Sequence, residues 1–96
     1  MKPIDFLPGA RYDFDESFGW YGERSVIAAE RFANAVDEAV NRVASNPEQF
    51  PAIDSRHREC LVKRFPFRIV YRVEANRVVV VAVAHAKRRP RYWRDR

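Results

Sequence analysis

Residues His85 to Arg96 read His-Ala-Lys-Arg-Arg-Pro-Arg-Tyr-Trp-Arg-Asp-Arg: one imidazole, six cations and two aromatic rings against a single acid. Phosphate chemistry asks for such groups. Cleaving RNA by attack of its 2′-hydroxyl takes a base, a proton donor for the leaving oxygen, and cations for the extra negative charge at phosphorus. His85 or Tyr92 is able to exchange protons. Lys87, Arg88, Arg91 and Arg94 are able to hold phosphate, arginine bidentately, and Arg68 and Arg72 join them if the fold brings them close. The same set suits binding without catalysis, through phosphate contacts and stacking on Tyr92 or Trp93. Packing of a helix on a sheet accounts equally well for Trp93, and a charge run alone is often a solvated tail. Spacing leaves these readings open.

Other reactive side chains carry less. Cys60 lies in an alternating segment with no base beside it, which reads as a small buried hydrophobe. His57 falls in a polar stretch and is expected to be exposed. Trp20 and Tyr21, near the end of a helical pattern, are expected to cap the core. With His57 and His85 the only histidines and Cys60 the only cysteine, no cluster has metal-ligand spacing and no internal disulfide can form. No metal or cofactor is expected.

Around these residues the pattern predicts six elements. Ile4 and Phe6 mark a short first strand within Lys2–Leu7. Pro8 then suits the first position of a helix, where no N–H is needed. Ala10, Phe14, Phe18 and Tyr21 form its apolar stripe, Asp13, Asp15 and Glu16 are assigned to its solvent face, and the helix is expected to end near Gly22. A second helix from about Ser25 carries Ala29, Phe32, Ala33, Val36, Ala39, Val40 and Val43 at helical spacing, and stops at Asn46 because Pro47 follows. Past the loop 46–51 the period becomes two. Cys60 and Val62 alternate with Leu61 and Lys63. Phe67, Ile69, Tyr71 and Val73 share one face of the next strand, and Arg68, Val70 and Arg72 the other. Ala75-Asn76 suits a tight turn, and the Val-rich run to His85 reads as a central strand covered on both sides. The expected fold is α+β: a helical hairpin packed on a small, largely antiparallel four-stranded sheet in the order β-α-α-β-β-β.

Composition narrows the function classes. Ninety-six residues are expected to make one domain, too small for a dinucleotide-binding fold with a separate substrate domain. The start, Met1-Lys2-Pro3-Ile4-Asp5-Phe6, has no signal-peptide apolar region, so a soluble cytoplasmic protein is expected, without membrane contact. The net charge of +5 hides a division: residues 1–50 hold five basic and nine acidic side chains, and residues 51–96 thirteen and four. The basic half is expected to meet phosphate backbones or an acidic protein surface.

Trp20-Tyr21, Asn46-Pro47 with Phe50-Pro51, the string Arg64-Phe65-Pro66-Phe67-Arg68-Ile69-Val70-Tyr71, then Ala82-Val83-Ala84-His85, and finally Arg88, Pro90, Tyr92-Trp93 and Arg96 together resemble the RelE/ParE toxin superfamily over nearly the whole chain, with the ParE branch the nearer. The resemblance implies the toxin of a type II toxin–antitoxin pair, held inactive by a cognate antitoxin. It also implies one of two targets. Ribosome-dependent ribonucleases of the superfamily cut mRNA with strand-borne lysines and arginines and a carboxy-terminal Tyr or His; Lys63, Arg68, Arg88 and Tyr92 fall near those positions, with His85 a further candidate. ParE-like members are associated with poisoning DNA gyrase, which makes Arg68, Arg72, Lys87, Arg88, Arg91, Tyr92, Trp93 and Arg94 a binding surface. Leu61 is apolar where the ribonucleases carry a strand cation, and that departure favours gyrase. Ribosome-bound mRNA remains the alternative, and a non-catalytic nucleic-acid-binding module the second.

Overall fold

The computed structural model describes residues 2–96, in the order β1 (Ile4–Phe6), α1 (Pro8–Arg24), α2 (Val26–Ser45), β2 (Arg58–Leu61), β3 (Phe67–Val73) and β4 (Val78–His85). This is the expected β-α-α-β-β-β succession. The helices meet at a single extended residue, Ser25. Its N–H bonds the Tyr21 carbonyl at 2.8 Å and closes α1, while its Oγ accepts the Ala28 N–H at 3.2 Å and opens α2. Helix α1 therefore runs past Gly22 to Arg24.

The sheet is mixed, in the order β1-β4-β3-β2, with β4 antiparallel to β3, β3 antiparallel to β2, and β1 parallel to β4. On one face lies the helical hairpin. Phe32, Val36, Ala39 and Val43 of α2 form a core with Phe67, Ile69, Tyr71, Val78, Val80 and Val83. On the opposite face, Val70, Val79, Val81, Ala82 and Ala84 pack against Trp93, with Leu7, Ile53 and Tyr92 around them. Strand β4 is thus covered on both sides, which is what its unbroken apolar run requires. A bulge adjusts its alternation: Val70 pairs with Ala82 but Tyr71 with Val80, so Val81 is an extra residue. Val81 and Ala82 consequently both turn to the second core, and Val83 returns to the first.

Strand β1 pairs only with Val78–Val80. The Leu7 N–H then bonds the Val80 carbonyl at 2.9 Å, and the chain leaves the sheet for α1. From Val81 onward β4 has no strand on that side, and its outward polar groups need partners of another kind. This edge positions the functional site.

Helix α1 departs from its expected faces at three positions. Asp13, assigned to solvent, is buried at 4% exposure, because it stands three residues after Ala10 on the core-facing stripe. Trp20, expected in the core, is 53% exposed, since its position lies about 100° around the helix from Tyr21. Arg24 instead lies over its ring at 3.7 Å. Phe18, at the margin of the stripe, is also partly exposed, at 39%, and stacks on Phe14. Tyr21 does reach the core, 5.1 Å from the Phe32 ring. Among the described residues no helix is long and apolar enough to cross a membrane.

Phe32 is the centre of the aromatic packing, with ring centroids of Phe14, Tyr21, Phe65 and Phe67 at 5.5, 5.1, 5.6 and 4.9 Å. Phe32→Ala is expected to cost about 3–5 kcal/mol, much of a small domain's stability. Thermal melting should show activity lost through unfolding; a stable but inactive variant would instead make Phe32 part of a target interface.

Candidate functional site

The carboxy-terminal segment folds back across the second face of the sheet, and Asp13 holds it there. One carboxylate oxygen accepts the Tyr92 hydroxyl at 2.9 Å, Arg96 Nη1 at 2.8 Å and the Val83 backbone N–H at 3.2 Å, while the other accepts Arg96 Nη2 at 3.2 Å. Arg96 Nη1 also donates to the Val81 carbonyl at 3.2 Å. The Asp13–Arg96 pair thereby satisfies the β4 groups that β1 stops short of reaching. Gly9 makes room for it: a Cβ there would lie 2.6 Å from Arg96 Nε, so any side chain would force the Arg96 side chain to shift. The hydrogen bond that Arg96 donates to Asp13 raises the Arg96 pKa, and burial, then the Asp13 charge, pushes the Tyr92 phenol well above its ordinary value. Arg72 completes the anchor, its Nη1 donating to the Arg96 carbonyl at 3.2 Å.

A second anchor forms around His57, which is buried at 5% exposure, contrary to the expected exposed loop. Its Nδ1 lies 3.0 and 3.1 Å from the two Asp54 oxygens, and its ring is 4.8 Å from Trp93. Arg91, in the left-handed region at φ 57°, donates to Asp54 at 3.2 Å and to the Ile53 carbonyl at 3.1 Å. Burial by itself would raise the Asp54 pKa. The Arg56 and His57 backbone N–H groups and the His57 ring outweigh it and hold Asp54 at about 2. Trp93 is 4% exposed, a core residue rather than a free stacking surface.

Two hollows flank the segment. A cleft of about 270 Å³ on the second face is lined by Ile53, Glu59, Arg68, His85, Arg88, Arg89, Arg91, Tyr92 and Trp93. A groove of about 620 Å³ lies between α1 and the end of β4, lined by Tyr12, Asp13, Glu16, Trp20, Tyr21, Phe67, Val83, His85, Lys87 and Arg88. His85 and Arg88 belong to both. The His85 Nδ1 accepts the Lys87 backbone N–H at 2.9 Å, leaving Nε2 as the ring nitrogen that carries the proton. Arg88 lies over the Tyr92 ring at 3.9 Å.

The sequence candidates therefore divide. Arg68, His85, Arg88, Arg91 and Tyr92 meet at the cleft, Lys87 at the groove, and Arg94 stands exposed. Lys63 lines neither hollow; it pairs at 3.6 Å with Glu38 across an exposed surface. Arg72 is mostly covered, at 14% side-chain exposure, and belongs to the anchor. Glu59 was missed. It faces Arg68 at 2.9 Å and brings the cleft its carboxylate; the alternation of β2 beside Arg68 on β3 was the available signal. Cys60 is fully buried, as its pattern suggested, and burial raises its thiol pKa. Among the described residues no three His, Cys, Asp or Glu side chains form a metal-binding group.

The Asp54 anchor has a pH signature. A carboxylate held below its unfolded value stabilises the fold above that value, about 3.9, and loses its contribution as pH falls through the folded one, about 2. Asp54→Asn is therefore expected to melt below the wild type at pH 6, with the gap closing between about pH 4 and pH 2. Melting curves across that range check it, and a gap that persists at pH 2 would contradict it.

The chain is similar in structure to a chromosomal ParDE toxin–antitoxin system from P. aeruginosa, at TM-score 0.66 and 19% identity over 91% of this chain and 98% of that one. It is also similar to a YoeB dimer from Staphylococcus aureus, at TM-score 0.60 and 15% identity over 88% of this chain and 95% of that one. At such identities the likeness is one of fold. No curated protein matches the sequence. The family model for the ParE toxin of the type II toxin–antitoxin system parDE matches residues 4–90, and the chain belongs to that family.

Proposed function

We propose that this ParE-type toxin inhibits growth by binding DNA gyrase in the cytoplasm, and that a cognate antitoxin holds it inactive. The observation that carries this reading is the Tyr92 hydroxyl. It is one of the two tail groups, with His85, that cleavage would use for proton transfer, and it is bonded to buried Asp13 with its pKa raised. Its work is structural. Lys87, Arg88, Arg89 and Arg94 stand outside the anchors, with no acidic side chain within 4.0 Å among the described residues, and supply a positive field for an acidic target surface. The antitoxin reading rests on the helical hairpin, where Val26 and Ile27 are exposed and a hollow of about 410 Å³ opens between Phe6, Phe14, Val36 and Val40. An unfolded segment that folds on contact is suited to fill such a surface, its acids meeting the basic sheet end.

A second reading, cleavage of ribosome-bound mRNA, is favoured by one feature: the cleft holds the Glu59 carboxylate, the His85 imidazole and several arginines together. Two variants separate them. Tyr92→Phe is expected to lose about 1–3 kcal/mol in unfolding experiments because a buried charged acceptor loses a donor. At a temperature where it is folded it should remain toxic. Glu59→Gln should likewise stay toxic, with gyrase-linked DNA breaks and intact mRNA in the arrested cells. Fragmented mRNA that becomes intact in Glu59→Gln, with loss of arrest, would overturn the gyrase reading and establish the second.

A further inference from the structure

The groove between α1 and the end of β4 joins the free cations Lys87 and Arg88 to an aromatic wall on α1. Its volume, about 620 Å³, is that of a small-ligand site. Its walls are apolar and aromatic, from Tyr12, Trp20 and Tyr21 on α1 to Phe67 and Val83 on the sheet. Tyr12 and Trp20, eight residues apart on one helix face, are 60% and 53% exposed, which leaves a wide aromatic surface open to solvent. Such rings stack on any planar heterocycle.

Charge gives the groove a direction. His85, Lys87 and Arg88 line the side opposite α1, and neither Lys87 nor Arg88 has an acidic partner within 4.0 Å among the described residues. Arg88 is held in place by the Tyr92 ring beneath it. On the α1 side the charge is reversed: Asp13 is neutralised by Arg96, and Glu16 adds a carboxylate with no cation within 4.0 Å among the described residues. We infer that this groove is a binding site for a free nucleotide, the base stacked on the Tyr12–Trp20 wall and the phosphates on Lys87 and Arg88. The one-sided charge selects a free nucleotide over a polynucleotide. A strand crossing the groove carries phosphate on both sides of the seated base, and one of them would face Glu16; a free nucleotide presents phosphate at one end only. The site shares Lys87 and Arg88 with the proposed target surface and Arg88 with the cleft, and it uses neither Glu59 nor Arg68.

The test is a fluorescence titration of the purified chain with ATP, AMP and adenosine. Trp20 and Trp93 are its two tryptophans, and only Trp20 is exposed, so quenching reports on the groove. ATP and AMP are expected to quench saturably, AMP roughly ten-fold tighter than adenosine, the difference being its phosphate contacts. Lys87→Ala is expected to weaken ATP roughly ten-fold, whereas Arg31→Ala, an exposed cation on α2 away from the groove, leaves it unchanged. Trp20→Leu should abolish the quenching and weaken ATP measured by equilibrium dialysis. Equal affinity for adenosine and AMP, or full ATP affinity in a folded Lys87→Ala, would overturn the assignment. So would a single-stranded octanucleotide or a glutamate-rich peptide that binds through Lys87 and Trp20 more tightly than ATP; the first would make the groove a strand site and the second a protein site.

Discussion

Asp13 is the point at which the two halves of the chain are joined. Burying a carboxylate is costly unless its acceptor capacity is filled, and here four donors fill it: Tyr92, both terminal nitrogens of Arg96, and the Val83 N–H. The need arises from topology. Strand β1 ends after three pairs with β4, and the chain enters α1 before the bulge at Val81. The Asp13 carboxylate and the Arg96 guanidinium do for Val81 and Val83 what a longer strand would have done. Removing one member of a buried, hydrogen-bonded pair costs about 3–5 kcal/mol, mostly because the other charge is stranded. Exposed bridges between the halves, such as Asp5–Arg77 and Glu38–Lys63, are worth little by comparison.

That constraint sorts the basic tail into two populations. Tyr92, Trp93 and Arg96 face inward and, with the more exposed Arg91, fasten the segment through Asp54, His57 and Asp13. Lys87, Arg88, Arg89 and Arg94 are left outside on a backbone that the anchors keep fixed. The fastened residues determine where the free cations stand, so in the proposed function they act only indirectly. A preorganised array loses less conformational entropy on meeting a target than a loose tail would, which is why a run that reads in composition as a solvated end can serve as a binding surface.

Much of this fold was legible because one period dominates each element. The stripe of α2 and the Val run of β4 admit one assignment, and the tight turn at Ala75-Asn76 made β3 and β4 neighbours. The errors came where one residue served two demands. Asp13 sits on the apolar stripe of α1 by spacing but was assigned by polarity, and only its distant partners, Tyr92 and Arg96, reveal why a carboxylate is placed there. His57 was read as exposed for the same reason: a ring buried against Trp93 and bonded to Asp54 has no local signature. The cleft was half legible. Its cations were visible as a tail, whereas Glu59 enters it through β2–β3 pairing, which juxtaposes residues that no sequence window contains together.

The central claim is that Asp13 substitutes for a missing strand and so fixes the tail. Amide hydrogen exchange in wild type and Asp13→Ala tests it at the atom concerned. In the wild type the Val83 amide should be protected like the paired amides of β3. In the variant, protection should fall at Val83 and across residues 91–96, while Phe67–Val73 remain protected. An Asp13→Ala protein in which Val83 and the tail amides keep their wild-type protection would contradict the account.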